Sequence, residues 1–129
     1  LPKLISFAER AWSPAPAWEN LTGTEERIAG MMADWNRFSA KITACEFPRL
    51  DVLNGGFIYR VPPPGAVIEN GILKANTAYP GLQIRYTADG SEPGTTSPLY
   101  SGPVQVNGPV RLKAFTASGK QSRSITVMP

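Results

Sequence analysis

Leu82-Gln83-Ile84-Arg85-Tyr86-Thr87-Ala88-Asp89-Gly90-Ser91-Glu92-Pro93 decides the fold. Leu82, Ile84 and Tyr86 alternate with Gln83, Arg85 and Thr87, which is the period of a half-buried strand. The run then breaks at Asp89-Gly90, where an aspartate can cap its own turn and a glycine accepts positive φ. The same grammar repeats on both sides. Ile72 to Ala75 forms a short strand pattern, and Val104 and Val106 flank Gln105. Val110, Leu112 and Ala114 alternate with Arg111 and Lys113, and Ile125 and Val127 alternate with Ser124 and Thr126. Turn residues punctuate these runs at Asn70-Gly71, Tyr79-Pro80-Gly81, Gly102-Pro103, Asn107-Gly108-Pro109 and Ser118-Gly119. Short strands at this spacing predict an antiparallel β-sandwich of immunoglobulin or fibronectin-III-like type over 66–129. The Cys…Trp…Cys signature of antibody domains is absent.

Upstream the period changes to that of helices. Leu4, Phe7, Ala8, Ala11 and Trp12 make an apolar stripe over 1–12, widened by Leu1 and Ile5, and Ser13-Pro14-Ala15-Pro16 stops it. A second stripe of Ile28, Met31, Met32, Trp35, Phe38 and Ile42 predicts a helix of roughly five turns ending near Ala44. Thr22-Gly23-Thr24-Glu25 fits a capping box at its start. Such Met and aromatic stripes are core packing in the ordinary case. Phe47-Pro48-Arg49-Leu50 opens a connector, 57–61 has strand character, and Pro62-Pro63-Pro64-Gly65 closes it. The organisation expected is therefore α+β: a helical segment over 1–46, a connector over 47–65 and the sandwich over 66–129.

Composition removes several chemistries. The 129 residues include no histidine and one cysteine, Cys45. Without histidine the commonest general base, the commonest metal ligand and every Ser-His or Cys-His nucleophile are lost. With no Cys/His cluster, no metal site is expected. One cysteine cannot close an internal disulfide, and Cys45 reads as a small, half-buried side chain at a helix end. It fits cytosol and periplasm alike. Glycine-rich nucleotide-binding patterns are absent, so no cofactor is expected. The net charge of +3 falls on 51–129, where seven basic residues face four acidic ones. That bias is too mild for a nucleic-acid surface. No apolar run is long enough for a membrane span.

The acids offer two pairs. Glu25 and Glu26 are adjacent at a helix start and point apart. Asp89 and Glu92 share one turn, and with Ser91 supply too few oxygens for a calcium ion. No catalytic residue is expected. Arg85, Arg111, Lys113 and Arg123 read as a solvated basic sheet face. Tyr79 and Tyr100, at loop edges, are the candidates for contact with a sugar ring.

Several stretches together resemble one family. Leu1-Pro2-Lys3-Leu4-Ile5-Ser6-Phe7-Ala8-Glu9-Arg10-Ala11-Trp12 is similar to the last barrel helix of family-20 glycoside hydrolases, the β-N-acetylhexosaminidases. Lys3 stands where that pattern has arginine. Arg49-Leu50, Gly56 and Tyr59-Arg60-x-Pro62 resemble the stretch that closes their catalytic domain. Tyr86-Thr87-x-Asp89-Gly90-Ser91-x-Pro93, Ser97-x-x-Tyr100 and Arg111-x-Lys113-Ala114-Phe115 resemble the C-terminal domain of chitobiase-like hexosaminidases.

The resemblance implies a parent enzyme whose TIM barrel removes terminal N-acetylhexosamine with an Asp-Glu pair. That pair lies upstream of the region matched, so no active-site residue carries over. The chain is expected to be a non-catalytic C-terminal module, partnered by that barrel, with binding of N-acetylglucosamine-containing glycans as the alternative. Its start, without a methionine or signal peptide, reads as a position inside a longer gene product. For a bacterial parent a periplasmic or secreted location is compatible.

Overall fold

A computed structural model describes residues 2–129; Leu1 and the side chains of Pro2 and Lys3 lie outside the described residues. Helix α1 spans Pro2–Trp12 and is closed by Ser13, whose backbone N–H and hydroxyl both donate to Glu9. A 3-10 turn, Ala17–Asn20, leads to α2, Thr24–Lys41. The capping box does not form. Helix α2 is preceded by Gly23 with no side-chain cap, so Thr22 stands one residue too early for its hydroxyl to serve the first turn.

The helix also runs past Ala44. A single π turn, Ile42–Glu46, carries it into α3, Phe47–Val52. Pro48 explains the irregularity. Proline has no N–H to donate and its ring collides with the carbonyl four residues back. Widening the turn, with the Phe47 N–H donating to Ile42 O, re-spaces the backbone ahead of Pro48 and lets the helix continue. The helix expected to end near Ala44 therefore continues, and Phe47-Pro48-Arg49-Leu50, expected to open a connector, is helical. Cys45 sits in that turn and is exposed, not half-buried at a helix end.

Residues 57–61 form no strand. Tyr59 and Val61 point inward and Ile58 outward, so the alternation is present without a partner strand to pair with. Beyond the prolines, β1 (Gly65–Glu69) and β2 (Ile72–Asn76) form a hairpin whose turn, Asn70 and Gly71, has positive φ at both residues. The other strands are β3 (Gln83–Thr87), β4 (Val104–Gln105), β5 (Val110–Phe115) and β6 (Ile125–Val127). They make two three-stranded sheets, β1-β2-β4 and β3-β5-β6, with antiparallel pairing throughout. The fold is α+β with a sandwich-like arrangement of the sheets.

Two apolar clusters hold it. One lies inside the sandwich: Ile68, Leu73, Ile84, Val106, Val110 and Leu112. The other joins the helices to the sandwich: Ile42 and Phe47 from the helical part, Tyr59 and Val61 from the connector, and Tyr79, Leu82 and Ala114 from the sheets and their loops. Phe47 stacks on Tyr59 with ring centroids 5.1 Å apart and meets Tyr79 edge-on at 5.9 Å.

Candidate functional site

The two tyrosines expected at loop edges are not free platforms, and the structure does not bring them together. Tyr79 is buried between Trp35 and Phe47 in the first cluster. Burial raises its phenol, partly offset by a hydrogen bond with Ser6 of α1. Tyr100 packs against the second cluster, where its hydroxyl oxygen accepts the Ala75 N–H at 2.9 Å.

The basic face is also engaged. Arg85 donates to Ser97 O at 2.6 Å. Arg111 and Lys113 both grip Glu92, at 2.5 and 2.8 Å. Asp89 accepts the backbone N–H and hydroxyl of Ser91 at 2.9 and 2.6 Å. Hydrogen bonds, from Lys113 to Glu92 and from Ser91 to Asp89, hold both carboxyls below the usual range. The Asp89-Gly90-Ser91-Glu92 turn is thus a brace between β3 and β5, made from side chains that satisfy one another. No group of three or more potential metal ligands is gathered among the described residues, and no helix is long and apolar enough to cross a membrane.

What stays open is apolar. On α1, Leu4, Phe7 and Trp12 are 64, 73 and 86% exposed. On α2, Ile28, Met31 and Met32 are exposed, and Trp35 lies at the margin. The stripes read from the sequence as core are therefore largely uncovered; among the described residues Ile5, Phe38 and Ile42 reach the first cluster, and Trp35 meets its Tyr79 ring. Between α1, the 3-10 turn and α2 runs a groove of about 530 Å³, floored by Trp18, Met31, Trp35 and Phe38. Several of its charges are paired: Arg10 with Glu19, and Asp34 with Arg37 while it also accepts from Trp18. An apolar surface of this kind is larger than the scattered apolar residues ordinary on a small domain.

One polar cluster escaped the sequence reading. Asp51, at the end of α3, accepts from Tyr59 (2.9 Å), Lys120 (2.8 Å) and Ser118 (2.5 Å). Lys120 also donates to Phe57 O at 3.0 Å and lies over the Tyr59 ring, 4.3 Å from its centroid. Burial alone would raise the Asp51 carboxyl, but the bonds from Lys120, Ser118 and Tyr59 outweigh it and hold it low. Burial and the Asp51 carboxylate push the Tyr59 phenol up. Ser118 and Lys120 stand 67 and 69 positions away from Asp51 in sequence, so no local pattern announces them. Asp51 links helix α3 to the loop after β5.

The described residues thus present braced turns, two engaged tyrosines and an uncovered helical face. Residues 46–124 match the chitobiase/beta-hexosaminidase C-terminal domain, and the chain belongs to that family. It is 32% identical to a beta-hexosaminidase of Vibrio vulnificus over 99% of its own length and 16% of that protein's. It is 33% identical to an N,N'-diacetylchitobiase of Vibrio harveyi, over 97% of this chain and 15% of the relative. The chain thus spans about one-sixth of the relatives it matches, and corresponds to their C-terminal domain and not to a catalytic part.

Proposed function

We propose that this chain is the structural C-terminal module of a family-20 β-N-acetylhexosaminidase, which would remove terminal N-acetylhexosamine. In this reading α1 completes the outer ring of helices of the parent's TIM barrel, and α2 lies beside it. The helical segment over 1–46 and the connector over 47–65 tie the barrel to an immunoglobulin or fibronectin-III-like sandwich over 66–129. The observation that carries the reading is the exposed stripe Leu4, Phe7 and Trp12 on α1. Burying three such side chains stabilises a contact by several kcal/mol, at about 1.5–3 kcal/mol each. Left open, they favour self-association.

The test is the paired substitution Phe7→Ser with Trp12→Ser. In this chain alone it is expected to abolish concentration-dependent association on gel filtration. In the full-length enzyme it is expected to lower the thermal midpoint of the catalytic domain. A wild-type chain that elutes as a strict monomer at high concentration, together with an unchanged midpoint in the full-length variant, would sink the reading. The glycan-binding alternative is less favoured, because Tyr79 is buried and the Tyr100 hydroxyl is engaged. Amide shifts that saturate on adding N-acetylglucosamine oligomers would restore it.

A further inference from the structure

The loop after α3 has a composition that solvent does not explain. Over 52–58 the sequence is Val-Leu-Asn-Gly-Gly-Phe-Ile, without a charge. Val52, Leu53 and Phe57 are 75, 52 and 40% exposed, and Ile58 is fully exposed. Single apolar residues on a surface are ordinary, but four within seven positions on one loop form a patch.

The loop is also held still. Its backbone closes on itself, Gly56 N–H donating to Leu53 O at 2.9 Å and Phe57 N–H to Leu50 O at 2.7 Å. Gly56 has φ +96°, and a Cβ there would stand 2.8 Å from Asp51 O. Asp51 is pinned at the entry by Ser118 and Lys120, and Lys120 grips Phe57 O at the exit. A loop held at both ends loses little conformational freedom on docking, so its apolar contacts count in full.

We propose that residues 52–58 are a preformed docking knob that seats its four apolar side chains on an apolar surface of the polypeptide outside this chain in the full-length protein. The occupant follows from proportion. The relatives match this chain almost end to end yet are about six times longer, so a full-length protein of their size supplies a large body of further polypeptide for the loop to meet. The absence of charge over 52–58 fits an apolar face there, not an anionic partner. The inference rests on the reading that the parent enzyme covers this chain, and adds a second contact separate from α1.

Thiol protection tests it, with Cys45→Ser removing the native thiol. Ile58→Cys and Phe7→Cys are introduced singly, both at exposed positions where the fold is undisturbed. The rate of maleimide labelling is compared between this chain and the full-length enzyme. Ile58→Cys is expected to label freely in this chain and about tenfold slower or more in the full-length protein. Equal rates in both overturn the inference. If Phe7→Cys is protected while Ile58→Cys stays open, the knob falls and the α1 contact stands; if both stay open, both fall. Protection of Ile58→Cys in this chain alone that grows with concentration makes the occupant a second copy, and also overturns it.

Discussion

The hydroxyl oxygen of Tyr100 accepts the backbone N–H of Ala75 at 2.9 Å, while the Tyr100 backbone N–H donates to Ile84 O at 2.8 Å. One residue therefore ties β2 in the first sheet to β3 in the second. Strand β4 pairs with β2 only at Ile72 and Leu73, so beyond Leu73 that edge of β2 has no strand beside it. The tyrosine hydroxyl takes the place of the missing neighbour.

Tyr100→Phe is accordingly expected to cost about 1–2 kcal/mol, because it leaves the Ala75 N–H without its partner while keeping the ring. Urea unfolding should show a lower midpoint with an unchanged slope. A midpoint equal to the wild type would mean that water satisfies Ala75 and the bridge contributes nothing.

Gly30→Ala should destabilise, against the usual rule. In an exposed helix this change stabilises by about 1 kcal/mol. Here a Cβ on Gly30 would lie 2.6 Å from the Cβ of Trp18. That atom is fixed to the backbone of the 3-10 turn and cannot swing away. The turn must lift, and the bond from Trp18 Nε1 to Asp34, 2.7 Å long, must break or stretch. The net loss expected is about 1–3 kcal/mol, with Trp18 emission shifted to the red. A gain in stability would show that the turn does not rest on α2.

The sandwich was legible because its signals are local. Alternation in 82–87 and 110–115 and the Asn70-Gly71 turn each lie within a few residues, and the strands and the turn formed where read, although Lys113, read as part of a solvated face, is buried. The helix boundaries were less so. Phe47-Pro48-Arg49-Leu50 reads as a connector, and only the π turn before it reveals a continuing helix. The stripes on α1 and α2 were visible, but periodicity reports which side chains seek burial, not whether a partner is present. Tyr79 does lie in the loop between β2 and β3, but it is buried there, and that burial depends on Trp35 and Phe47, more than 30 positions away. The Asp51 cluster had no local signal at all.

Glu92→Gln should weaken the brace between β3 and β5. Its carboxylate meets Arg111 and Lys113, and the Lys113 side chain is only 10% exposed. Neutralising Glu92 leaves Lys113 with Gln121 alone as a polar partner among the described residues. A lower thermal midpoint is expected at low ionic strength. The difference from the wild type should narrow with added salt, because Glu92 itself is exposed and its attraction is screened. A difference that does not respond to salt would indicate a loss of packing rather than of charge.

The Asp51 cluster should make stability fall on acidification. The folded carboxyl is held below its ordinary value, by donors from Lys120, Ser118 and Tyr59 that outweigh its burial. A depressed folded pKa means that the contribution is complete above the unfolded value, about 3.9, and is lost as pH falls through the lower folded one. Asp51→Asn should therefore be less stable than the wild type by about 1–3 kcal/mol at pH 7. That gap should shrink once the pH drops below about 4. Lys120→Met should move the Asp51 carboxyl back up towards its ordinary range in a carbon-detected NMR titration, since it removes the positive donor. The Tyr59 phenol is raised and stays protonated throughout, so it donates to Asp51 at every pH of the experiment. A gap between Asp51→Asn and the wild type that stays constant from pH 7 to pH 3 would mean that the charge on Asp51 is immaterial. The loop after β5 would then be held by contacts that need no charge on Asp51, such as the Lys120 bond to Phe57 O.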